Sequence, residues 1–289
     1  MQLPRSVWTA VLAGVAMAVL TTTSLEAEPA SDKPTPVDLL VVAPHSDDEA
    51  IGCTMVMLET LGRKQRVGIV VVTAGDAFEG VTAVAKKKKE ELVPDDYIKL
   101  AGLRQRHTIG AMGRLGIRGA DLMFLGYPDG GLDKIYQMEG KEPYEQPFTK
   151  KKETYGPVAR DYHSQVHGRP AAYTKTEVLG DLHEIIKERQ PKEICVTHES
   201  DAHPDHRAAF WFVRDAARAA GFRGELYTYV VHGEGPKGPP ERILTLTKEQ
   251  LDRKKAVIRE YREGVSPFHD KLAEEYTKED ERFWLIRLE

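Results

Sequence analysis

Val37-Asp-Leu-Leu-Val-Val-Ala-Pro-His-Ser-Asp-Asp-Glu49 runs from an almost unbroken apolar stretch directly into a dense polar turn. An apolar run of this length, rich in Val and Leu, is what a strand buried on both faces requires. Ile51, Met55, Leu58 and Leu61 then recur at helical spacing until Gly62. The unit is therefore a strand, a turn and a helix. It repeats downstream: a strand over 67–73, a helical pattern over 97–115 ending before Gly116, and a strand over 122–125 closed by Gly126-Tyr-Pro-Asp-Gly-Gly131. A helix over 177–189, a strand over 193–197, a helix over 207–220 and a strand over 225–231 complete the alternation. Strands alternating with helices predict an α/β, Rossmann-like domain, a mainly parallel sheet with helices on both faces.

The chain has 289 residues, 41% of them apolar, with Lys+Arg 41 against Asp+Glu 45 and a formal net charge of −4. That composition supports a packed core and gives no electrostatic footprint for nucleic acid. Residues 1–27 have the layout of a signal peptide: Arg5 in a short polar start, an apolar stretch over 7–20, then a polar end. The stretch is shorter than the about 20 residues a membrane-spanning helix needs, although an uncleaved N-terminal anchor is the alternative. The expected organisation is an export signal over 1–27, a linker over 28–36 and a single domain over 37–289. The mature protein is expected to be periplasmic or secreted, with no stable membrane insertion. Cys53 and Cys195 are too few for a disulfide framework, lie in apolar runs and read as buried free thiols.

The basic runs 86–89 and 150–152 have acidic neighbours and read as solvated surface. Residues 136–175, rich in Tyr, Pro, Lys and Gly, read as a long surface loop over one end of the sheet, with His163 and His167 as loop residues. Residues 248–289 read as a helix and a closing segment that packs Phe283, Trp284 and Ile286 onto the domain.

Ligands of open parallel sheets bind beyond the carboxyl ends of the strands. Two such ends are rich in metal-ligand side chains here. At the first, His45 and Asp48 can aim at one point while Asp47 projects elsewhere, so that one carboxylate binds a cation and its neighbour accepts a proton. The plainer reading makes Ser46 or Asp47 a helix N-cap, with Asp48 and Glu49 complementing the helix dipole. At the second, His203-Pro-Asp-His206 offers one histidine for a metal, one for substrate, and Asp205 to orient an imidazole. Three His/Asp ligands with an open fourth position describe a catalytic zinc site, and Fe2+ or Mn2+ suits the same donors. No dinucleotide fingerprint, P-loop or nucleophile elbow is present.

Pro44–Glu49, His203–His206 and Leu125-Gly-Tyr-Pro-Asp-Gly-Gly-Leu132 resemble, in order and spacing, the signatures of the PIG-L/LmbE superfamily of zinc-dependent de-N-acetylases of N-acetylglucosaminyl derivatives. The resemblance implies His45, Asp48 and His206 as metal ligands and Asp47 as general base. It implies His203 as the group that stabilises the oxyanion or protonates the leaving amine, with Asp205 supporting it, and Arg104 and Asp129 as sugar contacts. From the residues alone, Arg104 also reads as an ion-pair residue and Asp129 as a turn residue. The chain departs from the family pattern at His107, where an acidic residue is usual, and at Glu263-Gly264, where Ser-Gln is expected. The expected activity is hydrolysis of the N-acetyl group of an amino-sugar-containing small molecule or glycan. A metal amidase acting on a non-sugar N-acyl compound and a non-catalytic carbohydrate-binding relative are the alternatives.

Overall fold

A computed structural model of the chain describes residues 35–261 and 269–288. The expected export signal, most of the expected linker and Glu263-Gly264 lie outside them. Seven strands form the sheet: β1 Leu39–Ala43, β2 Val67–Thr73, β3 Leu122–Tyr127, β4 Glu193–Thr197, β5 Glu225–Tyr229, β6 Arg242–Thr245 and β7 Asp280–Ile286. Around it lie α1 Asp48–Gly62, α2 Val81–Ala85, α3 Pro94–Leu115, α4 Leu132–Gln137, α5 Tyr162–His167, α6 Lys175–Arg189, α7 Pro204–Ala219, α8 Lys248–Glu260 and α9 His269–Tyr276. The strand order is β3-β2-β1-β4-β5-β7-β6, parallel from β3 to β5, with β7 antiparallel to β5 and to β6. The closing segment thus supplies β7, which lies between β5 and the edge strand β6; Phe283 is fully buried while Trp284 and Ile286 are half-buried.

Alternation along the strands divides the core. Leu40 and Val42 of β1 join Val70 and Val72 of β2 on the face covered by α4, α5, α6 and α7. Leu39 and Val41 join Ile69 and Val71 on the face covered by α1, α3, α8 and α9. Every residue of β1 and β2 is buried, and each Val, Leu or Ile so buried contributes about 1.5–3 kcal/mol. Cys53 and Cys195 are buried free thiols, as expected. Among the described residues no helix is long and apolar enough to cross a membrane.

The 136–175 stretch differs from its expected form as a surface loop. It contains α5, and Gln146, Thr154, Asp161, Ala171 and Tyr173 are buried. Tyr162, Ala171 and Tyr173 join the apolar core, and hydrogen bonds hold the polar residues. Gln146 Nε2 donates to the Asp129 carbonyl (2.7 Å), and the Tyr155 hydroxyl donates to Asp76 Oδ2 (2.8 Å). The segment docks on Gly126, whose φ is 77°; a Cβ there would lie 2.3 Å from the Tyr155 carbonyl oxygen, so only glycine fits. The segment is thereby fixed to the end of β3, beside the site.

Candidate active site

β1 pairs with β2 on one side and β4 on the other, so the chain reverses its winding direction between β1 and β4. The crevice beyond their carboxyl ends is the expected ligand position. The turn after β1 carries His45–Asp48 and the first turn of α7, after β4, carries Pro204–His206. Adjacent strands therefore bring together residues about 160 positions apart.

His45 Nδ1, Asp48 Oδ2 and His206 Nε2 form a triangle with sides of 3.2, 3.1 and 3.1 Å. The ligand atoms of a tetrahedral zinc ion, at about 2.0–2.1 Å from the metal, stand about 3.3–3.4 Å apart. The three donor atoms thus fit one ion of that size. Their far sides face carboxylates: His45 Nε2 lies 3.2 Å from both Asp129 Oδ1 and Asp205 Oδ2, and His206 Nδ1 lies 3.2 Å from Asp201 Oδ2. Carboxylates behind the imidazoles are the usual support for metal-binding histidines. Asp47, Asp48, Asp129, Asp201 and Asp205 are all buried, with Arg104 among them. A divalent cation is a fitting counter-charge for that surplus of carboxylate.

The electrostatics follow from these contacts. Burial by itself lowers the His45 pKa, but Asp129, Asp205 and Asp48 outweigh it and raise the value well above the ordinary one. His206 is likewise disfavoured as a cation by burial yet carried up to about 9 by Asp48 and Asp201. Burial raises Asp48, and the two histidines more than reverse this. His203 moves the other way, down to about 4, because burial and the neighbouring His45 and His206 oppose its charge. His203 caps α7: the Asp205 backbone N–H donates to its Nδ1 (3.2 Å). The proton of the neutral ring is consequently on Nε2.

Asp47 stands at the N-cap position of α1 but makes no side-chain capping bond, and its φ is 121°. For a residue with a side chain that backbone costs about 1–3 kcal/mol. The Asp47 N–H donates to Glu49 Oε2 (3.2 Å), and Glu49 Oε1 accepts from the Tyr261 hydroxyl. Burial lifts the Glu49 pKa to about 8. The strained turn separates the adjacent carboxylates. Asp48 meets the histidines, whereas Asp47 Oδ1 lies 3.6 Å from Arg104 Nη2.

Arg104 is itself committed to this turn, donating to the Ser46 carbonyl (2.8 Å), with Asp129 Oδ2 3.6 Å away. Asp129 also accepts from the Ala77 N–H (3.2 Å). Asp205 is arranged differently from its expected support of His203. Its carboxylate meets His45, the Gly130 N–H (2.7 Å) and the Leu132 N–H (3.0 Å), and only its own backbone N–H reaches His203. All eight residues singled out in the sequence belong to one constellation, and His45, Asp47, Asp48, Arg104, Asp129 and His203 line one cleft of about 340 Å³.

Sequence reasoning missed Asp201, His232 and Tyr276. Asp201 Oδ2 accepts from the N–H groups of Val231 and His232 at 2.9 and 3.1 Å and so joins the ends of β4 and β5 behind His206. His232 lines the cleft with its ring 5.1 Å from that of His206, and Tyr276 lines the same wall. Asp201 lies close enough to His203 in sequence to have been grouped with it; the other two carry no local signal.

Comparison with curated proteins returns no match. Among solved structures, the fold is similar to N,N′-diacetylchitobiose deacetylase from Pyrococcus horikoshii in complex with an inhibitor (18% identity, TM-score 0.55, 88% of this chain and 84% of that one). It is similar to the zinc-inhibited form of a teicoplanin deacetylase (15%, 0.53, 86% and 97%). It is equally similar to GalB, the 4-carboxy-2-hydroxymuconate hydratase of Pseudomonas putida (15%, 0.55, 86% and 95%), so at these identities the likeness establishes the fold alone. The model of the family described as GlcNAc-PI de-N-acetylase, PIG-L, matches residues 40–217, a span that takes in both polar turns. That match covers more than half of the sequence, and on it the chain belongs to the PIG-L family of de-N-acetylases.

Proposed function

We propose that the protein is an exported, divalent-metal-dependent hydrolase, with zinc as the metal, that removes an N-acetyl group from an amino-sugar-containing substrate and releases acetate and a free amine. The observation that carries this reading is the triangle of His45 Nδ1, Asp48 Oδ2 and His206 Nε2 at the wall of a cleft that also presents a separate carboxylate, Asp47. His45, Asp48 and His206 would hold the metal. A divalent cation bound there supplies Lewis acidity that acidifies water and polarises an amide carbonyl.

The remaining chemistry belongs to side chains. Asp47, whose carboxylate lies beside Arg104 on the wall of the cleft, takes a proton as water adds to the acyl carbon. His203, neutral and protonated on Nε2, donates to the oxygen that gains negative charge, as a preorganised donor. The carbon–nitrogen bond then breaks and the proton held by Asp47 passes to the amine. Arg104 and Asp129 line the cleft as sugar contacts while bracing the turn. The signal read over residues 1–27 supports a cell-wall or extracellular glycan as substrate.

The test is acetate release by the purified protein from a panel of N-acetylated sugars and N-acyl amino acids, with chelator and with restored zinc. Chelator-sensitive release from the sugars is expected. Release from the amino acids alone would replace the sugar by another amide, and chelator-resistant release would remove the metal. Asp47→Asn is expected to retain zinc in the cleft and lose turnover, His203→Ala to retain that zinc and lose about 10²–10³ in rate, and His206→Ala to lose the zinc of the cleft.

A further inference from the structure

A second group of metal-ligating side chains lies between α5 and α6 and shares no residue with the cleft. His163 of α5 is 4% exposed, and its Nδ1 lies 2.7 Å from Asp181 Oδ1 of α6. The other carboxylate oxygen of Asp181 accepts from the Tyr127 hydroxyl (2.7 Å), so the carboxylate is fixed and accepts a hydrogen bond from the Nδ1–H. The Nε2 lone pair of His163 is left buried and without a hydrogen-bond partner. Glu177 Oε2 stands 3.8 Å from it. That gap is too long for a hydrogen bond, yet it is a separation that two ligands of one ion adopt when each is about 2.0–2.2 Å from it.

His167 lies one turn further along α5, its ring centroid 4.4 Å from that of His163, and its Nε2 is 2.9 Å from Glu184 Oε2. Donor atoms of His163, His167 and Asp181 fall within 4.8 Å of one another. Two histidines four residues apart on a helix share a face, the spacing by which helical histidine pairs hold zinc. An Asp behind Nδ1 that leaves Nε2 directed at the ion is the usual support for such a ligand.

We propose that this is a second metal site, for a first-row divalent cation that accepts nitrogen and oxygen donors, with His163, His167 and Glu177 as ligands and Asp181 as the residue that orients His163. Glu184 and His183 flank the same shallow cavity. The ion would clip α5 to α6. It would thereby anchor the 138–173 segment, which has little regular structure of its own, to the helix layer. This site does not depend on the function proposed for the cleft.

The test is zinc content after equilibrium dialysis of the full chain, with circular dichroism as the folding control. Two zinc ions per chain are expected in the wild type and one in His167→Gln, a surface change. One is also expected in His206→Ala, because that variant disrupts only the cleft. Asp181→Asn is expected to weaken the second site about 10- to 100-fold. Added zinc should raise the melting temperature of His206→Ala but not that of His206→Ala/Glu177→Gln. A folded His206→Ala without zinc, or a His167→Gln with the wild-type zinc content, would overturn the proposal. A single zinc in the wild type that survives His206→Ala and disappears in His167→Gln would support this site and refute the metal reading of the cleft.

Discussion

Replacing Asp205 by asparagine changes one buried atom and separates a support for His45 from a support for His203. Oδ2 of Asp205 serves both His45 Nε2 (3.2 Å) and the Gly130 N–H (2.7 Å), while Oδ1 serves only the Leu132 N–H (3.0 Å). An asparagine amide therefore settles with its oxygen in the doubly used position and its NH2 facing the Leu132 N–H. The Leu132 N–H and the new NH2 are then both without an acceptor, a loss of about 1–3 kcal/mol in stability for each such group. His45 keeps an acceptor but loses a formal negative charge behind its ring. Removing support of that kind costs metal sites about 10- to 100-fold in affinity, or about 1.4–2.8 kcal/mol. Asp129 Oδ1, also 3.2 Å from His45 Nε2, partly compensates, so Asp205→Asn should fall near the tenfold end and Asp205→Asn/Asp129→Asn near the hundredfold end. Zinc affinity by competition with a chromophoric chelator measures this, with urea unfolding alongside. If Asp205→Asn binds zinc as tightly as the wild type while acetate release falls, Asp205 acts through His203 and the reasoning fails.

Three other outcomes follow from named contacts. Asp47→Gly should be more stable than Asp47→Ala by about 1–2 kcal/mol in urea, because glycine adopts φ 121° without strain, and both should be inactive; equal stabilities would show that the turn is unstrained. Lys254→Met leaves the buried Glu281 carboxylate without its 2.7 Å partner and should cost about 3–5 kcal/mol, so an unchanged unfolding midpoint would count against a structural role for the pair. Burial and the nearby Asp129 lift Asp76 from 3.8 to about 7, so between those values the folded chain holds a proton that the unfolded chain has released. Its stability contribution is full below about pH 4 and is lost as pH rises toward 7, by about 1.4 kcal/mol per unit; Asp76→Asn should flatten that slope, and an unchanged slope would assign it to another group.

The parts of the fold that were legible in sequence were those in which a local pattern carries long-range information. An unbroken Val/Leu run implies two covered faces whatever covers them, and β1 and β2 have both. The turns after β1 and β4 could be read as one site because parallel sheets collect their loops at one edge, even with about 160 residues between them. Asp201 was not legible in the same way. Its part depends on β5 lying next to β4, so that the N–H groups of Val231 and His232 meet its carboxylate. The 136–175 segment was misread because tyrosine, glutamine and threonine look like surface until their hydrogen-bond partners are known. Gln146 and Tyr155 find those partners in Asp129 and Asp76, beneath the cleft.

The two neighbouring carboxylates explain why the strain sits at Asp47. Had α1 begun one residue earlier with ordinary backbone, Asp47 and Asp48 would project about 100° apart around the helix axis. The N-cap would then be Ser46, and Asp47 would lie in the first turn of the helix. Instead Asp48 begins the helix and reaches inward to His45 and His206, while the φ of 121° at Asp47 turns its carboxylate toward Arg104 and the open cleft. The Asp47 N–H is satisfied by Glu49, and Glu49 by Tyr261 from just beyond α8, so the turn is braced by a neighbouring helix of the same layer. A carboxylate spent on capping could not also accept a proton from water. The fold gives up a capping bond and tolerates about 1–3 kcal/mol of strain, and in return one short turn presents a metal-facing acid and a base to the same cleft.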